Sequence, residues 1–252
     1  LEFGISMGVD YVALSFVRSA DDVREVKAWM AERGGSVPLI AKIEKEEAIG
    51  DIDGILSEAD GIMVARGDLG VEMPLEEVPV FQKMLIRKAN EARKIVITAT
   101  QMLESMTRHS RPTRAETTDV ANAVLDGTDA LMLSAETSAG QYPFDSAEVM
   151  DRIISFTEER VRETGERFYV PYPKGSLLDF PGAVAEAASR AAHDTGARCI
   201  VAFTMTGFTA LLISKFKPDM PIVALSPDSS VVRRMRLYRG VIPYQVRKLA
   251  NT

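Results

Sequence analysis

Five short runs of apolar and β-branched residues recur along the first part of the chain, separated by longer segments with helical periodicity. The runs are Tyr11–Phe16, Leu39–Ile43, Gly61–Ala65, Ile95–Ala99 and Ala130–Leu133. Successive runs begin 22 to 35 residues apart, which leaves room for a helical crossover between parallel strands. The pattern therefore predicts an α/β fold that opens with five consecutive βα units around a parallel sheet.

The segments between these runs carry helix start and stop signals. Ser19 precedes two aspartates and predicts a helix cap, with the helix continuing to about Arg33, where two glycines follow. Thr113 and Glu116 form a capping-box pattern that predicts a helix through Val124. Apolar residues at three- and four-residue spacing predict two further helices, Leu75–Ala92 and Phe144–Glu163.

Proline and glycine are concentrated between Tyr169 and Gly182, which predicts a linker over residues 169–181. The linker divides a first domain, residues 1–168, from a second, smaller α/β domain, residues 182–252, with a mainly parallel sheet. The elements predicted for the second domain are a helix over Ala183–Asp194, a strand over Cys199–Thr204, a helix over Ala210–Lys215, a strand over Ile222–Leu225, a helix over Val231–Leu237 and a strand over Val241–Val246.

Composition narrows the class of protein. The net charge of −6 argues against a nucleic-acid partner, and the single cysteine excludes a disulfide framework. No apolar run reaches the ~18 residues that a membrane helix requires. We therefore expect a cytoplasmic protein that acts on neither nucleic acid nor membrane.

Polar side chains follow four consecutive strands, at the point where each strand ends. These residues are Lys42, Glu44, Arg66, Gly67, Asp68, Thr98, Thr100, Gln101, Ser134, Glu136 and Thr137. Chemistry gathers at the carboxyl ends of parallel strands in barrels and in open sheets. The repetition predicts an active site at this edge of the sheet.

Lys42 and Glu44 are two residues apart on one strand, so their side chains face the same side. One interpretation is a structural ion pair. The other is that Glu44 and Asp68 bind a small divalent cation, since magnesium is typically held by one or two carboxylates, waters and substrate oxygens. Lys42 would then direct its charge at a transferring phosphoryl group or a developing enolate.

Gly67, Thr100 and Ser134 add backbone and hydroxyl groups to the same edge. Gly67 lacks a Cβ and lets a substrate carboxylate approach the backbone amides, or it is simply a turn glycine. Thr100 and Ser134 carry hydroxyls that could form a short proton relay, or that satisfy local backbone groups.

Several of these segments together resemble the motifs of pyruvate kinases, in the order that this family has them. The matching segments are Leu39–Glu44, Asp60–Gly70, Thr98–Met106, Arg111–Glu116 and Asp119–Gly127. Pyruvate kinases transfer a phosphoryl group from phosphoenolpyruvate to ADP and then protonate the enolate, giving pyruvate and ATP. The resemblance implies a partial (β/α)8 barrel, with the family's C-terminal α/β domain beginning after the linker.

The resemblance also implies roles for individual residues. Lys42 is similar to the lysine that stabilises the phosphoryl-transfer transition state, and Glu44 and Asp68 are similar to the ligands of the catalytic Mg²⁺ or Mn²⁺. Gly67 and Asp68 match the segment that receives the substrate carboxylate. Thr100 matches the substrate-contacting threonine associated with enolate protonation.

Further expectations come from the resemblance alone. The remaining barrel units, the lid domain over ADP and the K⁺ ligands are expected outside this chain, and the intact protein is expected to be a homotetramer. In many relatives the loop that matches Thr204–Thr209 binds a phosphorylated effector, whereas a plain strand-to-helix turn is the alternative here.

Two other functions are also compatible with these residues. One is a magnesium-dependent aldolase or lyase barrel acting on a 2-oxo acid, which would keep Glu44 and Asp68 but would not need the Thr98–Met106 and Arg111–Glu116 motifs. The other is a non-catalytic fragment that binds phosphorylated metabolites. Whether this chain turns over alone is also open.

Overall fold

Two parallel sheets organise the residues that the computed structural model describes, 1–164 and 179–247. The chain divides into two compact units, one that contains Leu1–Met7 and the segment from Val12 to residue 164, and one that contains Gly8–Tyr11 and residues 179–247. Each sheet belongs to one unit.

The first sheet has five parallel strands in chain order, as the sequence predicts. They are β1 (Val12–Leu14), β2 (Leu39–Ile43), β3 (Gly61–Ala65), β4 (Ile95–Ala99) and β5 (Ala130–Met132). A complete (β/α)8 barrel has eight such strands. The predicted α/β fold with a partial barrel is confirmed.

Helices alternate with these strands, as the sequence predicts. They are α1 (Glu2–Ser6), α2 (Ala20–Glu32), α3 (Glu46–Gly50), α4 (Ile52–Glu58), α5 (Arg66–Glu72), α6 (Val78–Glu91), α7 (Arg114–Asp126), α8 (Ala135–Ser138) and α9 (Pro143–Thr164), with a short 3₁₀ helix at Glu104–Thr107. Helix α6 begins three residues later than predicted, and Pro79 lies in its first turn, where a residue without an N–H is tolerated.

The predicted capping signals act as expected. The Asp22 carboxylate accepts a hydrogen bond from the Ser19 amide at 3.0 Å. Thr113 Oγ1 accepts from the Glu116 amide at 3.2 Å, while the Glu116 carboxylate accepts from the Thr113 amide at 2.7 Å. Gly127 ends α7 with φ of 96°, a conformation that glycine adopts without a Cβ clash.

Apolar side chains from the strands and from the helices beside them form the core of this unit. Leu39, Ile43, Ile62 and Val64 are fully buried on β2 and β3. Truncating an aliphatic side chain in such a core typically costs about 2–5 kcal/mol. The core therefore fixes the strands whose carboxyl ends carry the predicted site.

The second unit has a three-stranded parallel sheet in the order β6–β7–β8. Its elements are α10 (Phe180–Asp194), β6 (Ile200–Phe203), α11 (Phe208–Lys215), β7 (Ile222–Ser226), α12 (Ser229–Arg234), a 3₁₀ turn at Met235–Leu237, and β8 (Val241–Gln245). The predicted mainly parallel sheet of this part is confirmed.

Helix α10 begins before its predicted start at Ala183. The Asp179 carboxylate accepts from the Gly182 amide at 3.0 Å, and Pro181 fits the first turn, so the helix takes in the end of the predicted linker. The rest of that linker, residues 169–178, lies outside the described residues. Within the described ranges no helix has both the length and the apolar character to cross a membrane.

Candidate active site

The carboxyl ends of β2, β3 and β4 are level with one another. Ile43 on β2 is paired with Val64 on β3, and Ala65 is paired with Ala99 on β4. The residues that follow these strands therefore emerge at one edge of the sheet. Glu44, Arg66 and Thr100 are the first residues beyond the three strands.

Lys42 and Glu44 form an ion pair at this edge, with Lys42 Nζ 2.5 Å from Glu44 Oε1. The Glu44 side chain is 3% exposed and that of Lys42 is 24% exposed. Lys42 Nζ also donates to Ser15 Oγ at 2.9 Å. A buried carboxylate is stable only with such partners, because desolvation strongly disfavours an isolated charge.

The other Glu44 oxygen is held by the loop after β1. The backbone amide of Phe16 donates to Glu44 Oε2 at 2.7 Å. Phe16 has φ of 59°, a left-handed conformation that is sterically disfavoured for a side chain of this size. Residues in such conformations are concentrated at functional sites. The loop after β1 therefore contributes to the site.

Gly67 and Asp68 lie in the first turn of α5, which begins immediately after β3. The Gly67 amide donates to Thr100 Oγ1 at 2.7 Å. A Cβ at Gly67 would be 3.3 Å from that oxygen, so glycine permits this close approach. Asp68 is exposed, and its carboxylate forms no hydrogen bond or ion pair with the other described residues.

Thr100 is the first residue after β4 and has φ of 67°, and Gln101 follows with φ of 53°. Two consecutive left-handed residues without glycine are unusual, and threonine is β-branched. The Thr100 hydroxyl donates to the Ala99 carbonyl at 2.6 Å and accepts from the Gly67 amide. The strained turn thus directs the hydroxyl toward the start of α5.

Arg66, the first residue after the neighbouring strand β3, holds this turn in place. Its Nη2 donates to the Thr100 carbonyl at 2.7 Å, and its Nε donates to the Ala99 carbonyl at 3.3 Å. Its Nη1 lies 2.5 Å from Asp119 Oδ2, on α7. The Arg66 side chain is 10% exposed.

Two glutamates fix the backbone that surrounds the site. Glu136 is fully buried and accepts from the Leu103 and Ser134 amides at 3.0 and 2.8 Å. Burial raises the pKa of Glu116, but hydrogen bonds from Ser105 and Thr113 outweigh that effect and bring this pKa below its ordinary value.

The donor set suits a hard divalent cation completed by other ligands. Across residues 1–164 and 179–247, no three or more His, Cys, Asp or Glu side chains are grouped to hold a metal. The carboxylates of Glu44 and Asp68 at the strand ends are two hard oxygen donors, and Asp68 has its oxygens unengaged. This chemistry fits magnesium or manganese, which take one or two carboxylates with waters and substrate oxygens.

Family models match both parts of the chain. Residues 1–147 match the model described as "Pyruvate kinase, barrel domain", and residues 182–252 match "Pyruvate kinase, alpha/beta domain". The chain belongs to the pyruvate kinase family.

Individual pyruvate kinases are similar along the whole chain. Pyruvate kinase 2 of Synechocystis sp. is 49% identical over 252 residues, which are 100% of this chain and 42% of that protein. Pyruvate kinase of Eimeria tenella is 47% identical over 258 residues, covering 100% of this chain and 48% of its own length. The chain spans about half the length of the curated relatives it matches.

A solved structure has the same fold. The crystal structure of a pyruvate kinase from Cryptosporidium parvum superposes with a TM-score of 0.90 at 44% identity, covering 97% of this chain and 51% of that chain. At this similarity the pyruvate kinase fold assignment of both units rests on sequence and structure together.

Some of the predicted site residues of this pyruvate kinase family member are in contact, and one predicted contact is absent from the part of the chain that the structure describes. Lys42 and Glu44 are in direct contact, and Gly67 is hydrogen-bonded to Thr100. No hydrogen bond joins the Thr100 and Ser134 hydroxyls among the described residues; the Thr100 hydroxyl donates to the Ala99 carbonyl and accepts from the Gly67 amide.

Sequence reasoning missed two contributors to the candidate site, Ser15 and Phe16, and it gave no role to a third residue, Arg66. Ser15 and Phe16 follow the short strand β1, and only its register beside β2 shows that they reach the Lys42–Glu44 pair. Arg66 stands beside Gly67 in the sequence, but nothing in its spacing indicates that it contacts the turn after β4. The position of an arginine directly before the glycine-aspartate turn is the sequence signal that could have indicated its role.

The predicted effector loop of the second unit satisfies part of its own backbone. Thr204 Oγ1 accepts from the Gly207 amide at 2.9 Å, and Thr206 Oγ1 accepts from the Phe208 amide at 3.4 Å. Gly207 has φ of 87° and precedes α11. These contacts are those of a strand-to-helix turn, the alternative that the sequence left open.

Proposed function

We propose that this chain carries the phosphoryl-transfer and enolate site of a pyruvate kinase, which converts phosphoenolpyruvate and ADP to pyruvate and ATP. The observation that carries the proposal is the Lys42–Glu44 pair, held by Ser15 and Phe16 at the carboxyl edge of a pyruvate kinase barrel sheet. The chain spans about half the length of its relatives, so the proposal concerns the site that this chain contributes to an intact enzyme and does not extend to turnover by the chain alone.

The Lys42 ammonium group stabilises the negative charge of the phosphoryl group during its transfer. The bond between phosphorus and the enol oxygen breaks, a terminal oxygen of ADP bonds to phosphorus, and the enolate is left behind. Phosphoryl transfer depends mainly on alignment and on neutralising charge, which a lysine at the rim of a partly desolvated site provides. Its partner Glu44 keeps the ammonium group in place.

Glu44 and Asp68 would hold the divalent cation, Mg²⁺ or Mn²⁺. When bound, this cation neutralises the phosphoryl oxygens and the enolate oxygen. A monovalent K⁺ is expected from the family, with ligands outside this chain.

Gly67 binds the substrate carboxylate, and Thr100 supplies the proton that the enolate takes up. The Gly67 amide now donates to Thr100 Oγ1. A substrate carboxylate bound by that amide would replace Thr100 Oγ1 as its acceptor, which frees a lone pair of the hydroxyl oxygen. The hydroxyl then turns from the Ala99 carbonyl, donates its proton to the terminal carbon of the enolate and takes a proton from solvent in its place, which completes pyruvate and restores Thr100.

The remaining family properties are proposals of the same kind. They are a homotetramer in the intact protein, a cytoplasmic location, and a phosphorylated effector at Thr204–Thr209. The hydroxyl-bearing turn before α11 supports the effector site only weakly, since its Gly207 amide is already engaged. A titration of the chain with inorganic phosphate, followed at the Thr204–Thr209 amides, tests that site directly.

The aldolase or lyase alternative is not favoured, because the relatives at 44 to 49% identity are all described as pyruvate kinases. A non-catalytic binding protein remains as an outcome of the experiment. It would bind oxalate, an enolate mimic, in the presence of Mg²⁺ and form no pyruvate.

The test measures ADP-dependent pyruvate formation from phosphoenolpyruvate with Mg²⁺ and K⁺. It uses this chain and a chimera in which the chain replaces the matching segment of the Synechocystis relative. We expect the chimera to turn over and Lys42→Ala to lower its kcat at least about 100-fold. Lys88→Ala is the matched control, because Lys88 pairs with Asp53 on the helices and leaves the strand ends intact. A folded chimera without activity, or an active Lys42→Ala variant, would refute the proposal.

A further inference from the structure

Arg66 is the most highly connected polar side chain near the candidate site, and the proposed chemistry gives it no role. Its guanidinium reaches the Ala99 and Thr100 carbonyls, and its Nη2 is also 2.8 Å from the Met102 sulfur. Asp119 and Gln82 hold the opposite side of the group, with Nη1 3.4 Å from Gln82 Oε1. A nearly buried arginine with so many fixed contacts has one orientation.

The Ala99 carbonyl connects Arg66 to the Thr100 hydroxyl. This oxygen accepts from Arg66 Nε at 3.3 Å and from Thr100 Oγ1 at 2.6 Å. Because the hydroxyl proton points to that carbonyl, the oxygen lone pairs of Thr100 face the Gly67 amide. Arg66 therefore helps to set the direction of the hydroxyl proton through a shared acceptor.

The Thr100 backbone needs this support. Its φ of 67°, followed by 53° at Gln101, is sparsely populated for residues other than glycine. Such conformations persist only where the surrounding structure over-determines them. The hydrogen bond from Arg66 Nη2 to the Thr100 carbonyl, at 2.7 Å, restrains the peptide plane between these two residues.

We propose that Arg66 is a positioning residue that fixes Thr100 for proton transfer to the enolate, through the paired Ala99 and Thr100 carbonyls. The role in proton transfer rests on the proposed function, whereas the role in orienting Thr100 does not. The guanidinium is required because its planar fork meets two carbonyls and a carboxylate together. A lysine at this position keeps the charge and reaches fewer of these acceptors.

Amide hydrogen exchange on the 252-residue chain tests the orientation without any turnover. The Gly67 amide reports on the geometry because it is protected by Thr100 Oγ1. We expect Arg66→Lys to speed its exchange about 10-fold, while the Leu39 amide, bonded to Asp60 in the same unit, changes less than about twofold. Unchanged exchange at Gly67 would overturn the proposal whether or not the protein is a kinase.

The proton step is tested by solvent-deuterium incorporation into the methyl group of pyruvate, measured on the chimera beside Mg²⁺-dependent oxalate binding. We expect Arg66→Lys to slow incorporation about 10- to 100-fold and to leave oxalate affinity within about twofold. Parallel losses of both would indicate a structural role and overturn the proton-transfer assignment. A wild-type chimera that forms no pyruvate and incorporates no deuterium would refute the proposed function and this assignment, whereas Gly67 exchange would still decide the orientation.

Two further variants keep the test decisive if Arg66→Lys fails to fold. Asp119→Asn leaves the arginine in place but weakens its anchor, so it should speed Gly67 exchange and slow deuterium incorporation in the same direction, each about threefold. Gln82→Ala is the matched control, because Gln82 Oε1 contacts the same Nη1 at 3.4 Å, a longer and uncharged hydrogen bond that anchors the arginine less than the Asp119 ion pair does. Equal effects of Asp119→Asn and Gln82→Ala would contradict the proposal.

Discussion

Phe16 and Glu44 are joined by a hydrogen bond of 2.7 Å from a strained backbone amide to a buried carboxylate. The same carboxylate contacts Lys42 through its other oxygen. The residues that follow two separate strands, β1 and β2, are therefore both needed to hold Glu44, a candidate metal ligand. The hydrogen bond to the charged Glu44 carboxylate offsets the strain of the Phe16 backbone.

Glu44→Gln should weaken cation binding. The substitution preserves size but removes the negative charge, and one of the two carboxylates proposed for the cation is lost. We expect Mn²⁺ affinity in the presence of oxalate, measured by electron paramagnetic resonance, to fall at least about 10-fold. Glu46→Gln, an exposed neighbour in α3, is the control and should change affinity less than about twofold. Equal losses in both variants would remove Glu44 from the site.

Phe16→Gly should raise stability although it deletes a large side chain. The phenyl ring is 61% exposed, so little burial is lost, whereas glycine adopts φ of 59° without strain. We expect the free energy of unfolding in urea to rise by up to about 1 kcal/mol. The control is Phe3→Gly, at a position within α1 that is 77% exposed, where glycine should destabilise by about 1 kcal/mol. Destabilisation at Phe16 would mean that its conformation is not strained.

Gly67→Ala should impair substrate binding with little effect on folding. The added Cβ would lie 3.3 Å from Thr100 Oγ1, so the hydroxyl must shift by a few tenths of an ångström. We expect oxalate affinity, measured by calorimetry with Mg²⁺, to fall about 10-fold, since small displacements in such sites are costly. Gly50→Ala, in α3, meets no atom within 4 Å and serves as the control. An unaltered affinity at Gly67 would exclude its amide from carboxylate binding.

The decrease in the free energy of unfolding at acidic pH should depend on Glu116. Its pKa in the folded protein lies below the ordinary value of 4.5, because hydrogen bonds from Ser105 and Thr113 outweigh the effect of burial. A depressed pKa contributes stability that is present above the unfolded-state pKa and is lost as pH falls through the folded-state pKa. Glu116→Gln should therefore lower stability at neutral pH and flatten its decline below about pH 4.5.

Urea unfolding of the wild type and of Glu116→Gln, at pH values from about 3 to about 7, measures this difference. Glu159→Gln, at an exposed position of α9, is the control variant for the loss of one glutamate charge. Parallel curves for Glu116→Gln and the wild type would show that Glu116 does not titrate differently in the folded state.

The strands and the Lys42–Glu44 pair could be predicted from the sequence, because alternation and spacing are local signals. Lys42 and Glu44 share one strand, and a period of two places them on the same face. The contacts of Ser15 with Lys42 and of Arg66 with Thr100 could not be predicted in this way, because they depend on the register between strands. The turn at Thr100 was missed for a related reason: a left-handed threonine follows from tertiary contacts and contradicts its local preference.

Glu136→Gln should be among the most destabilising conservative changes in the first unit. Glu136 is fully buried, and each carboxylate oxygen accepts from a different backbone amide, those of Leu103 and Ser134. A glutamine has one acceptor oxygen, so its amide nitrogen must face the other N–H donor and leave it unsatisfied. We expect a loss of about 1–3 kcal/mol in the free energy of unfolding, measured in urea. Glu32→Gln, exposed at the end of α2, should change stability by less than about 0.5 kcal/mol. A comparably small loss at Glu136 would mean that water replaces one of its two backbone partners, and the loop after β4 would then be held by Arg66 rather than by α8.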